Sequence, residues 1–252
     1  MHVTKEQIDA AKRALGLLPR SVDQPAFNIR PISEAWKWRD KKPAYRTAVA
    51  NVAYIWRDGS PVDRYGAMPA SFEQRRVELR GSGLLLPASA PVWACEGYRI
   101  WQEADQMAYA TDDPTELSAW HVVMDLPTKL PPARWQDFVT GFVERELTAK
   151  GAVVAWAIHA VEAADGSWLV RPHLHLCVTA KMWRHNSRHG RRHIAWLGNW
   201  ARQRSFELAW RRFCQLSQVV VPRHPWAGVE RLPSNPWVVW SDLAGAQILR
   251  AI

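Results

Sequence analysis

An α+β sandwich with an antiparallel β-sheet core packed by helices is the fold class that the sequence predicts, on three observations. The β-rich runs "AVVAWAIHAVEA" and "SWLVRPHLHLCVTA" flank Ala164-Asp165-Gly166, a strong hairpin signal. Residues Pro131 to Ala149 set Trp135, Phe138, Val139, Phe142, Val143 and Leu147 on one face, as an amphipathic helix does. The remaining segments alternate helical and strand patterning, with no internal repeat and no linker that divides the chain.

The first element expected is a helix over residues 4 to 16, with Ile8, Ala11 and Leu15 at helical spacing after the N-cap candidate Thr4. "AFNIRPIS" (26 to 33) alternates apolar and polar positions and reads as a strand. Ala44 to Trp56 is rich in small residues and reads as a helix, stopped by Asp58-Gly59-Ser60-Pro61. Residues 61 to 92 are dense in turn formers, so loop is expected there, with one short strand near Val77 to Leu79.

Trp93, Tyr98, Trp101, Ala104 and Ala108 then recur at helical spacing between Pro91 and Ala110. "LSAWHVVMDLP" (117 to 127) reads as a buried strand closed by Pro127. After the hairpin, "MWRHNSRHGRRH" is a basic loop, Ile194 to Phe213 is a Trp- and Arg-rich helix, and prolines crowd the tail. One domain is expected over 1–252, with 1–24 a helical extension and 222–252 a Pro-rich C-terminal segment.

The chain of 252 residues is 48% hydrophobic, ample for a core without staples. Cys95, Cys177 and Cys214 are odd in number and form no CxxC pair, which points to a reducing cytoplasm. The charged N-terminus does not resemble a signal peptide, and no apolar window is long enough to span a bilayer. A net charge of +9 is a usual footprint of polyphosphate binding, though a merely basic protein also carries it.

Strand alternation puts His173 and His175 on one face, about 7 Å apart along the backbone. A hairpin turning near Asp165-Gly166 brings His159 opposite residues 171 to 173. A lone core histidine is usually packing, but three imidazoles on one hairpin face are expensive to bury without a ligand. A shared metal ion is the chemistry this trio suggests; imidazole preference favours zinc or manganese and names no reaction. Arg184, Arg188, Arg191 and Arg192 follow directly, as a solvated loop or as phosphate contacts.

"AIHAVEAADGSWLVRPHLHL" resembles the histidine motif of the MobA/MobL mobilisation relaxases, HUH-type endonucleases that nick one DNA strand. Ala157-Ile158-His159 and Pro172-His173-Leu174-His175 match, with Arg171 where the family has asparagine and a longer turn between. "VANVAYIWRDG" is similar to the family's nucleophile helix, so that Tyr54, Arg57 and Gly59 fit. "LLLPASAPVW", "VVMDLP" and "AGVERLP" (227 to 233) match further family segments in order, extending the resemblance over residues 26 to 233.

The resemblance implies a relaxase/HUH-type, ferredoxin-like or palm-like sandwich. It also implies a nuclease in which Tyr54 attacks a phosphodiester to leave a 5′-phosphotyrosyl link that can be religated. His159, His173 and His175 would hold one divalent ion, Mg2+ or Mn2+, with Zn2+ the other choice. The partner implied is single-stranded or locally melted DNA at an origin of transfer, with accessory relaxosome proteins.

DNA contacts are expected from Trp56, Arg57, Trp183, Arg184, Arg188, Arg191, Arg192 and Arg231. Tyr45 is the runner-up nucleophile. Relatives often carry acidic residues on the strand before Leu-Pro, where this chain has His121 and Val123. His121 is therefore open to three roles: catalytic base, fourth imidazole near the metal, or packed strand residue. A rolling-circle initiator and a non-cleaving DNA-binding module of the same fold are the rival readings.

Overall fold

The computed structural model describes residues 27–33, 45–111, 113, 116–127, 129–193 and 196–217, and the backbone of 238–240. The expected N-terminal helix, the Pro-rich segment 222–252 apart from that backbone, and Arg231 lie outside the described residues. A six-stranded sheet organises the fold.

In chain order, strand β1 (Phe27–Ile32) precedes helix α1 (Ala48–Trp56), which is followed by the small hairpin β2 (Val62–Asp63) and β3 (Gly66–Ala67). Next come the short helix α2 (Ser71–Gln74), β4 (Leu79–Leu85), α3 (Arg99–Tyr109), β5 (Ala119–Asp125) and α4 (Trp135–Glu146). The central hairpin β6 (Val154–Glu162) and β7 (Trp168–Thr179) follows. The two-residue strands β8 (Lys181–Met182) and β9 (Arg191–Arg192), α5 (Trp200–Ser217) and β10 (Val238–Trp240) complete the order.

The sheet runs β1-β5-β7-β6-β4-β10, every neighbouring pair antiparallel. Its two faces differ in side-chain volume. One carries Val122, Met124, Trp156, Ile158, Leu174 and Leu176 against Phe138, Phe142 and Val143 of α4 and Phe206 and Trp210 of α5. Bulk on both sides interlocks here, as with the Phe142 and Trp210 rings, 4.8 Å apart.

The other face carries Ala119, Ala155, Ala157 and Cys177, beneath Val49, Val52 and Ala53 of α1 and Ile100, Trp101 and Ala104 of α3. Small residues on the sheet let the α1 backbone come close. His159 Nε2 reaches the carbonyl oxygen of Ile55 at 2.7 Å.

The start of α1 is held from two other elements. Thr47 Oγ1 accepts from the Ala50 amide at 3.1 Å and donates to Asp63 Oδ2 at 2.6 Å. The Asp105 carboxylate of α3 accepts from the Ala48 and Val49 amides at 2.7 and 3.0 Å. Three of the amides that a helix leaves without internal partners thus meet oxygen, two of them a negative charge at the positive end of the dipole.

Several boundaries depart from expectation. Helix α1 starts at Ala48 because Thr47, extended at φ −110°, caps it. The short strand expected near Val77 is a 3-10 turn over Arg76–Glu78, and the strand lies beyond it in β4. Gly81 and Gly83 obscured it: both weaken the local β signal, but Gly83 makes room for the neighbouring strand's indole. A Cβ on Gly83 would stand 2.9 Å from Trp156 Nε1. The helix expected from Pro91 to Ala110 is broken at Gly97 (φ 53°) into a 3-10 turn and α3. The last helix begins at Trp200 rather than Ile194 and runs to Ser217.

Candidate metal and tyrosine centre

Register on the central hairpin pairs His159 with His173 and Ala157 with His175, so the three imidazoles share the α1 face of the sheet. Their rings lie 5.6 Å (His159–His173), 4.6 Å (His159–His175) and 4.9 Å (His173–His175) apart. One nitrogen from each falls within 4.8 Å of the other two. Such a triangle has a common point about 2.8 Å or less from every corner, close to the imidazole–metal bond of about 2.0 to 2.1 Å. His159 and His175 are buried and His173 is half-buried, which leaves the centre one open side.

Hydrogen bonds assign the lone pairs. His173 Nδ1 donates to the carbonyl of Arg171 at 2.7 Å, leaving Nε2 as the acceptor nitrogen. His159 Nε2 donates to Ile55, so its lone pair is on Nδ1, where Arg57 Nη2 donates at 3.1 Å. His175 Nε2 is buried and has no hydrogen-bond partner among the described residues. An orphaned imidazole nitrogen beside two others fits a divalent ion of the zinc or manganese kind. A cation at the common point would take His159 Nδ1 from Arg57.

Burial lowers the pKa of His121 to about 4, aided by the charge of Arg30, and that of His159 to about 3, aided by Arg57. His175 is likewise held well below the ordinary imidazole value, by burial first and then by His121 and His159. His159 and His175 are therefore neutral near pH 7, the form in which an imidazole can bind a metal.

Tyr54 of α1 stands over this centre, its ring 5.8 Å from that of His175 and 6.1 Å from that of His121. The Arg57 guanidinium lies 4.5 Å from the Tyr54 ring centroid. Arg57 ends α1 in the left-handed region at φ 55°, unusual for a residue other than glycine. Its side chain is tied down by Nη1 to the Tyr54 carbonyl at 2.9 Å and Nη2 to Glu78 at 2.7 Å. Tyr45 lies alongside, 5.5 Å from Tyr54 between ring centroids, its phenol pKa raised by burial and by Tyr54.

Three of the expected site residues are engaged inside the fold. His121 Nε2 lies 2.9 Å from His175 Nδ1 and its Nδ1 lies 3.2 Å from Asn51 Oδ1. Both nitrogens are engaged inside the fold, so His121 has no free lone pair with which to act as a base or bind an ion. Arg57 is only 1% exposed and ends on Glu78 and His159, so it does not reach DNA from the surface. Trp183 is also 1% exposed and packs edge-on against Trp93, with Gly190 beneath it, so no face is open to stack on a base.

The other expected contacts separate by exposure. Arg184, Arg188 and Arg191 are exposed, while Arg192 pairs with Asp113 and Glu116. Their loop begins about 20 Å along the strand from His175. It folds onto the α1 face through Trp183 and a bond from His189 to Glu103 of α3. Trp56 is half-buried, donating to the Trp156 carbonyl at 3.2 Å with its ring beside Tyr98.

Sequence reasoning missed Asn51, Glu78 and Asp125. Asn51 lies three residues before Tyr54, one helical turn away on the same face, and alternation from His121 leads to Asp125, which pairs with His173. Glu78 carried no local signal, because only the fold brings it to Arg57.

Fold and centre together define an antiparallel α+β sandwich with a histidine trio on its sheet and a tyrosine helix laid across it. The chain belongs to the MobA/MobL family, whose model matches residues 46–230. A solved structure described as "Molecular Basis of Vancomycin Resistance Transfer in Staphylococcus aureus" has the same fold, with a TM-score of 0.57 and 16% identity. The likeness covers 79% of this chain and 96% of that one. Among curated proteins, none matches.

Proposed function

We propose that the protein is a mobilisation relaxase that nicks one DNA strand at an origin of transfer and can rejoin it. The observation that carries the proposal is the position of Tyr54, set by α1 rather than by the sheet, over three convergent imidazoles. Membership of the MobA/MobL family supports it, as does the fold shared with a structure whose description concerns resistance transfer.

In the reaction, the Tyr54 phenol oxygen attacks phosphorus, the bond from phosphorus to the 3′-oxygen breaks, and a 5′-phosphotyrosyl link holds the strand. The phenol proton passes to solvent and the released 3′-oxygen takes one up. Arg57, lying against the Tyr54 ring, holds the tyrosine in place over the trio. His159, His173 and His175 would hold a divalent ion, which supplies positive charge to the nonbridging phosphate oxygens when bound. Mg2+ or Mn2+ suits this chemistry, and Zn2+ suits the imidazole donors.

The exposed Arg184, Arg188 and Arg191 would hold the backbone of single-stranded or melted DNA, and Trp56 the bases next to the cut. Both hydrophobic cores use the same sheet, which supports a single domain; a relaxase of this family would work in the cytoplasm with accessory relaxosome proteins. Among the described residues no helix is long and apolar enough to cross a membrane.

The test is incubation with single strands of the cognate origin and Mg2+, Mn2+ or Zn2+, scored for a covalent protein–DNA band. Wild type and Tyr45→Phe are expected to form the band, and Tyr54→Phe to form none. No band from wild type under any of the three metals overturns the proposal.

A further inference from the structure

We propose that Asn51 and His121 are positioning residues that lock the His175 imidazole with its proton on Nδ1, so that the Nε2 lone pair faces the point shared with His159 and His173. The inference rests on the reading of that trio as a metal centre.

Each step in the relay is decided by which atoms can donate. Asn51, fully buried on α1, donates from Nδ2 to the carbonyls of Tyr45 at 2.8 Å and Thr47 at 2.7 Å. These two bonds fix the amide's orientation and turn Oδ1 toward the sheet. An amide oxygen can only accept, so His121 Nδ1, 3.2 Å away, carries the proton. A neutral ring protonated at Nδ1 holds its lone pair at Nε2. The bond of 2.9 Å to His175 Nδ1 therefore runs from His175 to His121. His175 in turn keeps its lone pair at Nε2, the atom that is buried without a partner among the described residues.

The chain of bonds begins at the cap of the tyrosine helix and ends at a metal-ligand nitrogen. It serves the purpose a carboxylate serves behind other metal-bound histidines, orienting the ring and fixing its tautomer, but with neutral groups only. The same three side chains tie α1, and with it Tyr54, to β5 and β7.

The wild-type protein without metal, labelled with 15N at histidine, decides the proposal through long-range nitrogen–proton correlation spectra at pH 7.5. Expected is the Nδ1–H form at both His121 and His175; His175 found as the Nε2–H form overturns it. Calorimetric titration with MnCl2 reads the consequence. His121→Phe, which fills the space but accepts nothing, is expected to bind Mn2+ about 10- to 100-fold more weakly than wild type. His121→Gln, able to donate to Asn51 and accept from His175, is expected to stay within a few-fold of wild type. Equal affinity in wild type and a folded His121→Phe overturns the relay. A wild type that binds no Mn2+ while showing the expected tautomers sinks the metal reading alone.

Discussion

Arg57 joins three parts of the centre, Tyr54, His159 and Glu78. It is a buried cation in a left-handed backbone conformation, bonded to Glu78, His159 and the Tyr54 carbonyl. Glu78 supplies its countercharge, and Arg57 and Arg75 together hold the Glu78 carboxyl below the usual carboxylate range despite its burial. Glu78→Ala should leave the Arg57 charge buried and uncompensated, lowering stability by about 3 kcal/mol in urea unfolding. A loss under about 1 kcal/mol would show that Arg57 does not depend on this partner. The histidines were legible in the sequence because alternation on a strand is a local rule. Arg57's buried role was not, since nothing local distinguishes an arginine that reaches DNA from one folded back onto Glu78.

At the scale of elements, the docking of α1 decides where Tyr54 sits. The Asp105 carboxylate caps the helix from α3, across more than fifty residues of sequence. Asp105→Ala is expected to lower stability by about 1 to 2 kcal/mol, read as a shift in the chemical-denaturation midpoint. No change would mean that Thr47 suffices. Helix α4 and the β6–β7 hairpin were readable from sequence because periodicity and turn chemistry are encoded within each. Strand β4 was not: its Gly83 makes room for Trp156 of the neighbouring strand, which local propensity does not register. Trp183 was misjudged similarly, because only its packing on Trp93 and Gly190 makes it core.

The whole molecule should respond to pH through its buried imidazoles. His121 and His159 have folded pKa values of about 4 and about 3, and His175 is also well below 6.5. The unfolded chain therefore takes up protons near pH 6.5 that the folded state refuses. Stability is complete above that pH and declines as pH falls toward the folded values, by up to about 1.4 kcal/mol per pH unit for each imidazole. Thermal unfolding of the metal-free protein between pH 6.5 and 4.5 tests this before most carboxylates titrate. A flat melting temperature over that interval would mean that the rings are protonated in the folded state. The fold class was legible at this scale because the central hairpin and the helix patterning converge on one architecture. The assignment of faces was not, since it depends on which side of the sheet carries alanine.

That thinness of the alanine side has a genetic consequence. The proton of His159 is directed by the main-chain oxygen of residue 55, an atom every amino acid possesses. Substitution at position 55 cannot delete this contact; it can only move it, by lifting the helix away from the sheet. Variation that disturbs this ligand should therefore map to Ala155, Ala157 and Ala119 beneath the helix, where one added methylene is enough to raise the floor.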